Sequence, residues 1–110
     1  MAVEGVRWTL ANSRPVAHLS GEIDLTNAEA LFSAVKSNGD GVIVDLTDVV
    51  FLDSVGIGQI VALAKRSSVR LVSPPGTQPR RLVRLTEIDG AIPTFDSIAA
   101  ALAGGLVTGL

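Results

Sequence analysis

Ser54 stands between a carboxylate, Asp53, and two glycines, Gly56 and Gly58, within the stretch VIVDLTDVVFLDSVGIGQI that runs from Val42 to Ile60. The apolar spacing makes the first half a strand and the second half a helix, so the serine falls at the handover. A serine on such a turn, with glycine two residues later, is the second half of a hydrolase nucleophile elbow. The first half is missing. Leu52 occupies the position where the elbow requires glycine, and His18, the one histidine, lies upstream of the serine in a predicted strand. His18 reads as a structural or surface strand residue, and no catalytic residue is assigned.

The other chemistries fail on spacing. Gly56-Ile57-Gly58-Gln59-Ile60-Val61 half-matches a dinucleotide-binding turn, but valine replaces the third glycine and no carboxylate follows about twenty residues on. There is no Gly-x-x-x-x-Gly-Lys-Ser/Thr loop for phosphates, so no nucleotide cofactor is expected. Asp45, Asp48 and Asp53 lack a neighbouring histidine or calcium-loop spacing, and Asn12-Ser13-Arg14 stands where a phosphoryl-receiver domain needs an acidic pair. No metal site is assigned, and Asp45 and Asp48 read as turn and strand-end residues.

Chemistry performed on Ser54 is a different matter. A phosphate at a helix N-terminus is favoured by the dipole and by free backbone N–H groups, while Asp53 and Asp24 oppose it. A phosphoserine carries roughly −1.5 to −2 charge, enough to displace a partner without refolding the domain. The competing reading makes Ser54 simply the helix N-cap, worth about 0.5–2 kcal/mol over alanine. The residues by themselves leave both open.

The elements that must position this serine follow from periodicity. Val6, Trp8 and Leu10 alternate as a strand, Asn12-Ser13-Arg14-Pro15 supplies a turn, and Val16 to Ser20 form a second strand. Thr26 and Glu29 have capping-box spacing before a helix whose apolar face carries Ala28, Leu31, Phe32 and Val35, with Asn38-Gly39 as its stop. Val42 to Val44 with Leu46 is the central strand, and Ile57, Ile60, Val61 and Ala64 stripe the helix after Ser54. A short strand over Val69 to Val72 precedes the loop Ser73-Pro74-Pro75-Gly76. Pro79 then opens a helix facing inward with Leu82, Val83 and Leu85 and closed by Gly90. Arg80, Arg81 and Arg84 lie on its other face and read as solvated. A short strand near Ile92 to Phe95 and a last helix from Asp96-Ser97, ended by Gly104-Gly105, complete an α/β layer fold.

Bulk properties narrow the function classes. The chain of 110 residues, 47% hydrophobic and 18% charged, fits one domain over residues 1–110 with a sizeable core. A net charge of −2 gives no field for direct nucleic-acid binding or for a membrane surface. The apolar tail from Ile98 to Leu110 is too short for membrane insertion. The absence of cysteine removes disulfides and thiolate chemistry, and with no basic-then-apolar leader it suits a cytoplasmic protein. An apolar patch on the last helix would serve a homodimer.

Three segments together resemble one family, the STAS-domain anti-sigma factor antagonists, or anti-anti-sigma factors. LSGEIDLTNAEAL is similar to the family's Gly-Glu-Leu/Ile-Asp element leading into its first helix; VIVDLTDVVFLDSVGIGQI resembles its central strand and Asp-Ser-Ser-Gly phosphorylation motif; RRLVRLTEIDGAIPTFDSIAAAL resembles its closing segment. The resemblance implies a STAS fold, a mixed four- to five-stranded sheet with about four α-helices mainly on one side. It also implies a binding module with no catalysis of its own. Ser54 would be phosphorylated by the anti-sigma factor, an ATP-dependent serine kinase, and restored by a serine phosphatase. The unphosphorylated form would bind that kinase and release the sigma factor, through Asp24, Thr26, Asp53, Ser54, Val55, Gly56, Ile57 and Gly58. Val55 replaces the second serine of the motif. A STAS adaptor subunit of a lipid-transport or stress-sensing assembly, without a phosphoswitch, is the alternative.

Overall fold

The computed structural model describes residues 5–36 and 41–107, with side chains up to residue 104. Strands β1 (Val6–Ala11) and β2 (Arg14–Ile23) form an antiparallel hairpin. Its connection is only Asn12-Ser13, with φ of 52° and 67°, the left-handed pair of a type I′ turn, whose twist matches that of the strands. The turn is thus shorter than expected, and Arg14 and Pro15 already pair with Ala11 and Leu10.

β2 continues beyond Ser20 to Ile23, through Gly21 at φ 80°. Its register against β3 (Val42–Leu52) shifts between His18 and Ser20 and between Gly21 and Glu22. These irregularities leave Ser20, Gly21 and Glu22 exposed, so the strand loses its alternation there and its end does not show in the sequence. β3 likewise runs through Asp45 and Asp48, which corrects their reading as turn and strand-end residues.

Helix α1 (Ala28–Lys36) buries Ala28, Leu31, Phe32 and Val35 as its spacing predicts. Its expected Asn38-Gly39 stop lies outside the described residues. The capping box does not form, because the Thr26 hydroxyl donates instead to Asp24 Oδ1 at 2.6 Å. The helix starts later, and Leu31 N donates to Asn27 O at 3.0 Å.

The sheet order is β1-β2-β3-β4-β5, with β3 central and parallel to both β2 and β4 (Val69–Val72), and β5 (Thr94–Phe95) parallel to β4. On one face Leu19, Val44, Leu46 and Leu71 meet α1, Ile57, Ile60 and Leu63 of α2 (Ser54–Arg66) and Val83 of α3 (Gln78–Leu85). On the other, Val16, Ile43 and Val72 meet Ala101, Ile98 and Leu102 of α4 (Ile98–Val107). The result is the mixed sheet with helices mainly on one side.

Two helix ends differ from expectation. α3 stops at Leu85, which is 73% exposed, and the chain turns through Glu87 at φ 59° into a 3-10 turn, Ile88–Gly90, so Gly90 closes that turn and not α3. α4 runs through Gly104 instead of ending there, since a Cβ at Gly104 would overlap the Phe95 ring and the bare backbone lets helix and strand approach.

Candidate functional site

The parallel pairing of β2 and β3 places their carboxyl ends side by side, with Ile23 opposite Leu52 and Asp53 N–H donating to Ile23 O at 3.2 Å. The residues after those ends, Asp24 on one strand and Asp53-Ser54 on the other, therefore emerge at one edge of the sheet. The two segments that the resemblance joins in one contact surface lie side by side there.

Ser54 is the first residue of α2, not its cap. Asp53 is the cap, in extended backbone, and its Oδ1 accepts from Val55 N at 3.0 Å and Gly56 N at 3.2 Å. That carboxylate satisfies donors a helix start otherwise leaves open and complements the dipole. Ser54 is consequently exposed, and its hydroxyl makes no hydrogen bond among the described residues. The N-cap reading of Ser54 is thereby corrected, and the cap function belongs to its neighbour.

The two glycines divide the work the sequence left joint. Gly56 is buried, and a Cβ there would overlap Leu52 Cδ1 and lie 3.2 Å from Ile23 Cγ2, so glycine lets α2 seat against both strand ends. At Gly58 a Cβ meets nothing within 4 Å, and the position is open to solvent. Ile57 is buried in the core and supports the surface from beneath, while Val55 is half-buried and packs against the same core.

Asp24 Oδ1 accepts from the Thr26 hydroxyl at 2.6 Å and from Thr26 N at 2.9 Å. The hydroxyl first, and the amide second, hold its carboxyl below the ordinary value of 3.8 despite a small opposing effect of burial. Asn27 ties the loop back: its Oδ1 accepts from Asp24 N at 3.0 Å and its Nδ2 donates to Glu22 O at 2.7 Å. The negative charge beside Ser54 is thus held in a fixed frame.

Exposed apolar residues missed in the sequence lie within four positions of Asp24 or Ser54 along the chain. Leu25 is 77% exposed, Val50 72% and Phe51 44%. Leu25 follows Asp24 directly, and Phe51 pairs with Glu22 at the end of β3. The signal available was the run Val49-Val50-Phe51-Leu52, in which Val49 and Leu52 suffice for the core.

His18 is fully engaged elsewhere. Its Nδ1 meets Asp45 Oδ2 at 2.7 Å and its Nε2 meets Thr9 Oγ1 at 2.6 Å, while Asp45 Oδ1 accepts from Thr47 N at 3.0 Å and Thr47 Oγ1 at 2.5 Å. This chain stitches β1, β2 and β3 together, and it offers Ser54 no base. Among the described residues no group of three His, Cys, Asp or Glu side chains could hold a metal. No described helix is long and apolar enough to cross a membrane.

A family model described as the STAS domain matches residues 6–101. The anti-sigma-F factor antagonist RsfB of Mycobacterium tuberculosis H37Rv is 35% identical over 94% of this chain and 92% of its own length. Among solved structures, an anti-sigma factor antagonist from Mycobacterium paratuberculosis is 28% identical with a TM-score of 0.75, covering 90% of this chain and 91% of its own. The anti-sigma factor antagonist SpoIIAA in its unphosphorylated form is 16% identical with a TM-score of 0.67 over 96% and 97%, a likeness of fold.

Proposed function

This chain belongs to the STAS-domain family of anti-sigma factor antagonists, and from that premise we propose that it is a cytoplasmic partner-switching regulator controlled at Ser54. In its unphosphorylated form it binds an anti-sigma factor and frees the sigma factor. The anti-sigma factor acts on it as a serine kinase: the Ser54 oxygen attacks the γ-phosphorus of ATP, its proton passes to a base on the kinase, and ADP leaves. A serine phosphatase hydrolyses the ester and restores binding. The chain itself performs no catalysis.

The observation that carries this reading is an exposed, unengaged hydroxyl at the first position of α2, directly after the Asp53 cap. A hydroxyl reserved for capping would be occupied. This one is presented, at an edge with exposed Leu25, Val50 and Phe51 to contact a partner.

The hydrogen bonding at the start of α2 supports a mechanism for release. Val55 N and Gly56 N already donate to Asp53, so a phosphoryl group on Ser54 meets a helix terminus at which these two donors are taken. It either displaces the Asp53 carboxylate or projects outward beside Asp53 and Asp24. Both routes add roughly −1.5 to −2 charge to an edge that a partner must desolvate. The binding surface becomes more negative and more strongly hydrated while the core stays as it is.

Val55 in place of a second serine fits the same reading. The position packs against the core, so valine there adds apolar contact without removing an exposed acceptor. Incubation with the kinase and ATP, followed by intact-protein mass spectrometry of the wild type and Ser54→Ala, tests the assignment. One phosphate on the wild type and none on the variant is the expected result.

A further inference from the structure

We propose that the outward face of α3 is a second docking site on the same partner, taking an acidic segment of the anti-sigma factor. This inference rests on the partner-switching reading and adds to it a contact away from Ser54.

The chain as a whole is negative, yet α3 carries Arg80, Arg81 and Arg84 and no carboxylate between Gln78 and Leu85. Arg80 is committed to the fold, donating to Asp96 at 2.9 Å and to the Ser73 carbonyl. Arg81 and Arg84 are exposed, and among the described residues neither guanidinium has an ion pair or hydrogen bond. With Gly76, Thr77 and Leu85 they line an open depression, and Leu85 is 73% exposed in it. Two unengaged guanidinium groups beside a bare leucine complement carboxylate side chains interleaved with an apolar one, because the planar fork pairs with carboxylates bidentately. They do not complement a neutral or basic segment.

The depression is also mechanically continuous with the switch. β3 pairs with β4 only as far as Asp45, and at its far end Gln78 stands in for the absent strand. Gln78 Oε1 accepts from Leu52 N and its Nε2 donates to Leu52 O, each at 2.8 Å. Leu52 lies two residues before Ser54, so the first residue of α3 and the start of α2 share one support. The separation of α3 from Ser54 is thereby held fixed.

The test is titration calorimetry of the anti-sigma factor in ADP with the wild type, Arg81→Glu/Arg84→Glu, Arg81→Lys/Arg84→Lys and Ser54→Asp, each at low and moderate salt. Arg80 is left intact because it holds the fold. Charge reversal should weaken binding about tenfold or more and flatten the salt dependence. The lysine pair, which keeps the charge and loses the bidentate fork, should bind between the wild type and the charge-reversed variant, and an unchanged thermal melt of Arg81→Glu/Arg84→Glu excludes misfolding as the cause. Unchanged affinity and salt response on charge reversal, with Ser54→Asp still weakened, would overturn the α3 site and leave the switch standing. Absence of wild-type binding would overturn the switch, and with it the occupant assigned here. Self-association lost in the Arg81→Glu/Arg84→Glu variant, at unchanged partner affinity, would assign the depression to a second copy of this chain and overturn the proposal.

Discussion

Asp53 donates its backbone N–H to the carbonyl of Ile23 at 3.2 Å, which joins the ends of two parallel strands and makes neighbours of the residues that follow them. Asp24 and Ser54 are thirty positions apart in the chain and occupy one edge because of that junction. The carboxylates flanking Ser54 are therefore a product of topology, and each has a separate structural duty: Asp53 caps α2, and Asp24 closes a loop through Thr26.

Removing the cap should loosen the start of α2. Asp53→Ala leaves Val55 N and Gly56 N without their acceptor, at a cost of about 0.5–2 kcal/mol. Urea denaturation should show the loss as a lower midpoint at unchanged slope. Asp53→Asn, which keeps an acceptor, should recover most of it.

The two glycines should respond with opposite sign. Gly56→Ala forces a methyl into Leu52 and Ile23 and should destabilise by about 1–3 kcal/mol. Gly58→Ala meets no atom and should stabilise the helix by about 0.5–1 kcal/mol. Thermal melts of the two variants beside the wild type distinguish them directly.

Acid should act on the Asp24 loop late. Its carboxyl is held below 3.8 in the folded chain, so the ionised form is favoured by folding. The stabilisation is fully present above the ordinary value and is lost as pH falls through the lowered one. An NMR titration of the side-chain carboxyl carbon should give a midpoint below 3.8, and Thr26→Val should move it upward by removing the stronger of the two donors.

The His18 chain should prove structural. Asp45→Ala strands the His18 ring and the Thr47 donors, and the loss of a buried acceptor costs about 1–3 kcal/mol. Stability should fall, phosphorylation of Ser54 below the melting temperature should persist, and neither protein should turn over an ester substrate.

These contrasts also mark what the sequence could and could not convey. Strands and helices with intact periodicity, such as Val42 to Leu46 and the stripe through Ile57 and Ile60, were legible because burial on one face or on both dictates residue type. The far half of β2 was not, because a positive-φ glycine and register shifts put Ser20, Gly21 and Glu22 in solvent while their backbone stayed in the sheet. Thr26 was misassigned because a hydroxyl two residues after an aspartate can serve either that carboxylate or a helix start, and the side-chain geometry chose the first. At the site, Ser54 was legible as a presented residue in a recognisable motif. The partition of duties between Asp53 and Ser54, the different roles of Gly56 and Gly58, and the exposure of Leu25, Val50 and Phe51 needed the packed structure, since each depends on which neighbour arrives from another strand.

The proposed role of Ser54 as the switch acceptor is tested most directly by the mass of the intact protein after incubation with an anti-sigma factor kinase and ATP, followed by peptide mapping. One phosphate, located on Ser54, absent from Ser54→Ala and accompanied by release of the kinase, is the expected result. An unmodified protein that stays bound in ATP as in ADP, or a phosphate on another residue, would contradict it.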